Sequence, residues 1–295
     1  MDESQPDRAE WKAGPRVAGA GGVEIATWDL GGEGAPLLAV HATGFHARTW
    51  LPLAPVLGRD RHVWALDLRG HGRSGHSPSG EYRDWDLFAT DLLAVVDALG
   101  LADAPGGLAG VGHSLGGAVL LLAEQRRPGI FDSLYCYEPI VIPPSERAPA
   151  GGVDLSRVAR KRRARFPSLE AAAANYRAKP PFAAFCADAL DAYVAHAFVP
   201  APGGGVELAC RPEEEASVYE GALASTCWEA LRSVTSAVTV AAGGDGGAAA
   251  AHVEEVVDRL PAGRLERYDD LGHFGPMQDP VRVGQAIRVA VARAR

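Results

Sequence analysis

The sequence predicts an α/β fold, a mostly parallel sheet flanked by helices and interrupted by a helical insertion, and three observations carry that prediction. Residues 36–40 (Pro-Leu-Leu-Ala-Val) and 62–66 (His-Val-Trp-Ala-Leu) are apolar runs of strand length, separated by a helix-length segment at 50–57. Such a strand–helix–strand unit joins parallel neighbours. A third strand-like run, 108–112, passes through Gly112-His113-Ser114-Leu115-Gly116-Gly117 into a helix-like segment at 118–124. From about Val141 to Trp228 strand signals become scarce, and charged, Pro-interrupted helical segments take over at 157–166, 169–176, 187–198 and 213–223.

The remaining elements follow in order. Residues 1–15 lack periodicity and read as an N-terminal tail. Short runs at 16–20 and 23–29 flank Gly21-Gly22, a two-residue hairpin signal. Residues 82–99 place Trp85, Phe88, Leu92, Val95, Val96 and Leu99 at helical spacing, and Gly100 ends the segment as a C′ residue. Residues 134–137 form a further strand. Beyond the insertion, strand texture returns at 237–242 and 265–268, separated by a helix-like 252–260 that stops at Pro261, and a helix at 279–293 closes the chain. The organisation expected is a core at 16–142 and 235–295 with an insertion at 143–234.

Composition narrows the function. A net charge of −8 on 295 residues repels nucleic acid and anionic membranes, so neither is an expected partner. The N-terminus, Met1-Asp2-Glu3-Ser4-Gln5-Pro6-Asp7, lacks the basic-then-apolar order of a signal peptide, which leads to a cytoplasmic expectation. Cys136, Cys186, Cys210 and Cys227 show no C-x-x-C or paired-His spacing, so no metal or cofactor is expected and buried free thiols are. The expected partner is a small-molecule substrate, and a homodimer is left open.

The Gly112–Gly117 stretch carries the chemistry. A sharp strand-to-helix turn thrusts its central residue out of the sheet edge and leaves room only for hydrogen at the flanking positions, which Gly112 and Gly116 meet. Ser114 is then the candidate nucleophile. A serine hydroxyl is weak until a base takes its proton, and His273, in the loop Leu271-Gly272-His273-Phe274-Gly275-Pro276 after the last strand, is the candidate base. Two carboxylates can orient it: Asp245, after the 237–242 strand, is favoured, and Glu138, at the end of the strand following the nucleophile, is the alternative. The backbone N–H groups of Leu115 and Thr43 are the expected oxyanion hole. His41, Phe45 and Phe274 are expected to face substrate.

In order, His41-Ala-Thr-Gly, Asp67-Leu-Arg-Gly-His-Gly-Arg-Ser74, Gly112-His-Ser-Leu-Gly-Gly117, Asp245 and Gly272-His-Phe274 resemble the α/β-hydrolase superfamily across the core. The resemblance implies an eight-stranded, mostly parallel sheet, with the 143–234 insertion as a helical cap (lid) over the site. It also implies that the Asp67–Ser74 motif shapes a turn and is not itself catalytic. Ala42 stands where the family usually has glycine. Ser at the nucleophile position sets the chain apart from epoxide hydrolases and haloalkane dehalogenases, which need a carboxylate there. The expected activity is hydrolysis of an ester, thioester or lactone of a small, largely apolar substrate through an acyl-enzyme. A C–C bond hydrolase or lyase with the same triad, and a non-catalytic ligand-binding protein on the same fold, stay open. Within the insertion, the basic stretch Arg157–Arg165 reads as a solvated helix face, or as a guanidinium clamp for an anionic substrate group if its side chains turn toward Ser114.

Overall fold

A computed structural model describes residues 11–147, 154–244 and 250–293. The chain opens with β1 (Lys12–Ala18) and β2 (Glu24–Asp29), an antiparallel pair. β3 (Ala35–Val40) leads through a 3-10 turn and the single-turn α1 (Ala54–Leu57) to β4 (Arg61–Leu66), and α2 (Trp85–Ala98) follows. β5 (Ala109–His113) runs directly into α3 (Leu115–Arg126), and β6 (Ser133–Tyr137) comes next.

The insertion then contributes α4 (Leu155–Arg160), β7 (Arg165–Phe166), α5 (Leu169–Arg177), α6 (Ala187–His196), β8 (Phe198–Pro200), β9 (Val206–Leu208) and α7 (Pro212–Gly221). The core resumes with β10 (Ala237–Gly243), α8 (Val253–Arg259), β11 (Gly263–Tyr268), the short α9 (Gly275–Gln278) and α10 (Pro280–Ala292). Among the described residues, none of these helices is long and apolar enough to cross a membrane.

The core strands form one eight-stranded sheet in the order β1-β2-β4-β3-β5-β6-β10-β11. β1 and β2 are antiparallel to their neighbours, and every pairing from β4 to β11 is parallel. Strand β3 shows why its sequence is apolar throughout. Leu38 and Val40 pack under α2 and α3 with Phe88, Leu92 and Val119, whereas Leu37 and Ala39 point to the opposite face with Trp50, Leu53, Val283 and Ile287. Each such Leu, Val, Ile or Phe side chain withdrawn from water stabilises the fold by about 1.5–3 kcal/mol before chain entropy is counted. α2 begins at Trp85, three residues later than its apolar period suggests, because the Asp84 side chain caps it by accepting from Asp86 N–H. Gly100, at φ +62°, ends it as expected.

Three local expectations are corrected. The first hairpin has no two-residue turn: residues 20–22 form a 3-10 turn, and Gly19 N–H bonds the Val23 carbonyl at 2.7 Å. A Gly-Gly pair serves either connection, since both Gly21 and Gly22 have positive φ. The 157–166 helix stops at Arg160, and Arg165–Phe166 instead pairs antiparallel with Glu207 and Val206. The insertion is therefore not purely helical and contains the three-stranded sheet β7-β9-β8. Strands of two or three residues are too short to show a period of two in the sequence.

Candidate active site

Strand β5 lies between β3 and β6, and at its end Ser114 adopts φ 55° and ψ −117°. That conformation costs a non-glycine residue about 1–3 kcal/mol and persists only where the surroundings enforce it. They do so through the backbone: Ser114 N–H donates to the Tyr137 carbonyl at 2.9 Å, and its own carbonyl accepts from Gly117, Ala118 and Ile140 at 3.1–3.3 Å. The flanking glycines are sterically required. A Cβ on Gly112 would lie 2.6 Å from the Gly116 carbonyl, and one on Gly116 would collide with the Val40 carbonyl.

His273 sits between β11 and α9, and its Nδ1 donates to Glu138 Oε2 at 2.6 Å. The Glu138 side chain is completely buried, and its second oxygen accepts from Gly243 N–H at 2.7 Å. Glu138 itself has φ +42°, and its N–H bonds the Ala241 carbonyl, so the end of β6 is bent to present the carboxylate. With Nδ1 committed as donor, Nε2 of the neutral imidazole carries the lone pair, the state in which it can accept a proton. Glu138, the alternative acid, is thus in contact with His273. Asp245 lies outside the described residues.

The histidine loop is tied back to the elbow. His113 Nε2 donates to the His273 carbonyl at 2.8 Å, with the two rings 4.9 Å apart. Tyr137 hydroxyl donates to the Gly272 carbonyl at 2.9 Å, and Gln278 Oε1 accepts from Gly272 N–H at 2.8 Å. The sequence reading did not find these three positioning contacts. Tyr137 and His113 adjoin Glu138 and Ser114, which is a usable signal; nothing in the sequence marks Gln278.

Residues 42–45 form a tight turn, closed by Phe45 N–H on the Ala42 carbonyl at 3.1 Å, with Gly44 at φ +76°. Its closing bond uses neither the Thr43 nor the Gly44 N–H. Across from it, Leu115 is the first residue of α3, where amides have no partner within the helix.

His41, expected to face substrate, lies inside the protein with both ring nitrogens on backbone. It is 1% exposed, its Nε2 accepts from Leu68 N–H at 2.9 Å and its Nδ1 donates to the Ala42 carbonyl at 2.8 Å. Burial pushes its pKa down to about 4, so it is a neutral pin between two loops. In sequence, a histidine at a strand's end reads the same whether it faces backbone or ligand. Phe45 and Phe274 are brought together, rings 5.7 Å apart; from the insertion, Phe182 and Phe185 stack on Phe45 at 6.1 and 6.2 Å, and Tyr193 meets it at a tilt at 5.1 Å. Met277 joins the same apolar cluster.

Asp67 organises a turn, accepting from Ala47 N–H, Arg73 N–H and Trp28 Nε1 at 2.7, 2.8 and 3.0 Å. The basic stretch is mostly spoken for within the insertion: Arg160 pairs with Glu213 and Glu220, Arg165 pairs with Glu207, and Arg163 lies over Phe166. Arg162 alone among these turns inward, onto Glu215. All four cysteines are free; Cys186 is half-buried and the other three are buried.

The sequence profile described as "Alpha/beta hydrolase family" matches residues 37–286. Similar curated proteins include the dihydrolipoyllysine-residue acetyltransferase component of an acetoin cleaving system from Pseudomonas putida, 42% identical over 129 residues, 42% of this chain and 33% of that protein. Human monoglyceride lipase is 36% identical over 113 residues, 37% of this chain and 36% of the lipase. The matched stretches thus span about a third of these relatives' own length. Among solved structures, that of E-2-(acetamidomethylene)succinate hydrolase superposes with a TM-score of 0.77 at 23% identity, covering 96% of this chain and all of that one.

Proposed function

The chain belongs to the alpha/beta hydrolase family, and on that premise we propose that it is a serine hydrolase acting on esters of small, largely apolar acids. Ser114 is the nucleophile. His273 Nε2 takes its proton as the hydroxyl attacks the carbonyl carbon, and Glu138 stabilises the imidazolium that forms. The oxyanion rests on the N–H groups of Thr43 and Leu115, where each donor contributes about 3–4 kcal/mol of transition-state stabilisation. His273 then returns the proton to the departing alcohol, and a water deprotonated by the same nitrogen releases the acid.

The observation that carries the reading is the His273 imidazole held on the fully buried Glu138 carboxylate and hung by His113 from the elbow that strains Ser114. Binding alone gives no reason for a strained serine together with an imidazole oriented by a buried carboxylate. The aromatic cluster of Phe45, Phe182, Phe185 and Phe274 supports an apolar acyl group, and the monoglyceride lipase relative supports an ester bond. The test is a series of p-nitrophenyl esters, acetate to octanoate, with wild type and Ser114→Ala. Turnover that rises with acyl length and disappears in Ser114→Ala is expected. Equal residual turnover in both proteins would refute the assignment.

A further inference from the structure

Arg162 and the buried Glu215 form an inward-facing pair that the chemistry above does not use. The guanidinium also donates to the hydroxyls of Tyr176 and Tyr193, at 2.9 and 2.8 Å. An ion pair taken out of water contributes little net stability unless every partner is satisfied, and α4 and α7 are already joined by the exposed Arg160 pairs with Glu213 and Glu220. The inner pair is better understood from what it touches. A Cβ on Gly44 would lie 2.6 Å from Glu215 Oε1 and 3.0 Å from Arg162 Nη1, so the pair rests on the Gly44 backbone. Tyr193, accepting from Arg162, donates its hydroxyl in a long hydrogen bond of 3.4 Å to the Gly44 carbonyl.

The Gly44–Phe45 peptide is therefore held at both ends. Its carbonyl is bound by Tyr193, and its N–H closes the turn on Ala42. That peptide plane fixes the turn carrying Thr43. We propose that the Arg162–Glu215 pair, acting through Tyr193, positions the oxyanion hole, so that the inserted cap and not the core alone sets the Thr43 donor. The proposal rests on the reading of Ser114 as nucleophile and Thr43 N–H as oxyanion donor. Arg162, Glu215 and Tyr193 are positioning residues, because they act through the turn and not on the substrate.

An oxyanion donor acts mainly on the transition state, so its misplacement lowers kcat and leaves KM alone. Removing one donor outright costs about 10²–10³-fold, and a tilted one should cost about 10-fold. The experiment compares p-nitrophenyl butyrate kinetics, with their pH profile, in wild type, Tyr193→Phe, the Arg162→Met/Glu215→Met double variant and the surface control Arg160→Met. The double change removes both charges together and leaves no buried charge unpaired, and thermal unfolding checks that each variant is folded.

The expected result is a kcat about 10-fold lower in Tyr193→Phe and in the double variant, with KM within 2-fold, the wild-type pH profile and an unchanged Arg160→Met. The proposal is overturned if the folded double variant keeps wild-type kcat, or if KM rises while kcat holds, which would make these residues substrate contacts. A wild type that neither turns over ester nor reacts with a fluorophosphonate would instead overturn the serine-hydrolase reading, and this proposal with it.

Discussion

Replacing Glu138 with glutamine changes one atom type at the most enclosed point of the site. The carboxylate holds two donors, His273 Nδ1 at 2.6 Å and Gly243 N–H at 2.7 Å, and has no access to water. The glutamine oxygen can keep the Gly243 bond, which turns the amide NH2 toward Nδ1. An NH2 group only donates, so the imidazole must move its proton to Nε2, the nitrogen that has to receive the serine proton. The opposite amide rotamer sets NH2 against Gly243 N–H and loses that bond instead. Wrong-tautomer substitutions of this kind lower turnover by about 10⁴-fold, so a loss of about 10³–10⁴-fold in kcat/KM is expected, equivalent to roughly 4–5.5 kcal/mol. The assay is p-nitrophenyl butyrate hydrolysis, with KM unchanged and Asp245→Asn as comparator within 3-fold of wild type. Near-wild-type activity in Glu138→Gln, together with collapse in Asp245→Asn, would refute the assignment of the orienting acid.

Other predictions follow from the same geometry. Gly116→Ala forces a Cβ into the Val40 carbonyl and should lower stability by about 1–3 kcal/mol, read from the urea midpoint, with activity lost alongside; an unchanged midpoint would contradict the close approach. His113→Phe keeps a ring beside His273 but loses the bond to its carbonyl, so kcat should fall about 10-fold at similar stability, and wild-type kcat would show that the tether is dispensable. Acid should destabilise the fold through His41 and His71, whose burial lowers their pKa from 6.5 to about 4 and about 3. Because the unfolded chain binds these protons more readily, stability is full above 6.5 and falls as pH drops toward 3–4. Near pH 5 the loss should be about 2 kcal/mol per ring, seen as a lower urea midpoint than at pH 7. A midpoint independent of pH across that window would contradict neutral burial.

Much of this was legible in the sequence because it depends on short-range rules. β3, β4, β5 and β6 are apolar runs because both sheet faces are covered, and Gly112 is required by the carbonyl four residues on, at Gly116. What the sequence hid depends on where a side chain ends up across the fold. Asp245 and Glu138 both follow strands, and chain position alone does not decide between them. The +42° φ that swings Glu138 onto His273 has no glycine to announce it. His41 reads as a site residue because it begins the loop proposed to hold the oxyanion, yet both its nitrogens serve backbone. The basic stretch looked uniform, and only packing against α7 and Gly44 separates inward-facing Arg162 from its solvated neighbours.

The central claim is that Ser114 is an activated nucleophile, and the most direct measurement is intact-protein mass after brief exposure to an alkyl fluorophosphonate. Wild type should gain a single adduct, Ser114→Ala none, and His273→Ala should react far more slowly. A folded wild type that gains no adduct, or one whose adduct persists in Ser114→Ala, would contradict the account.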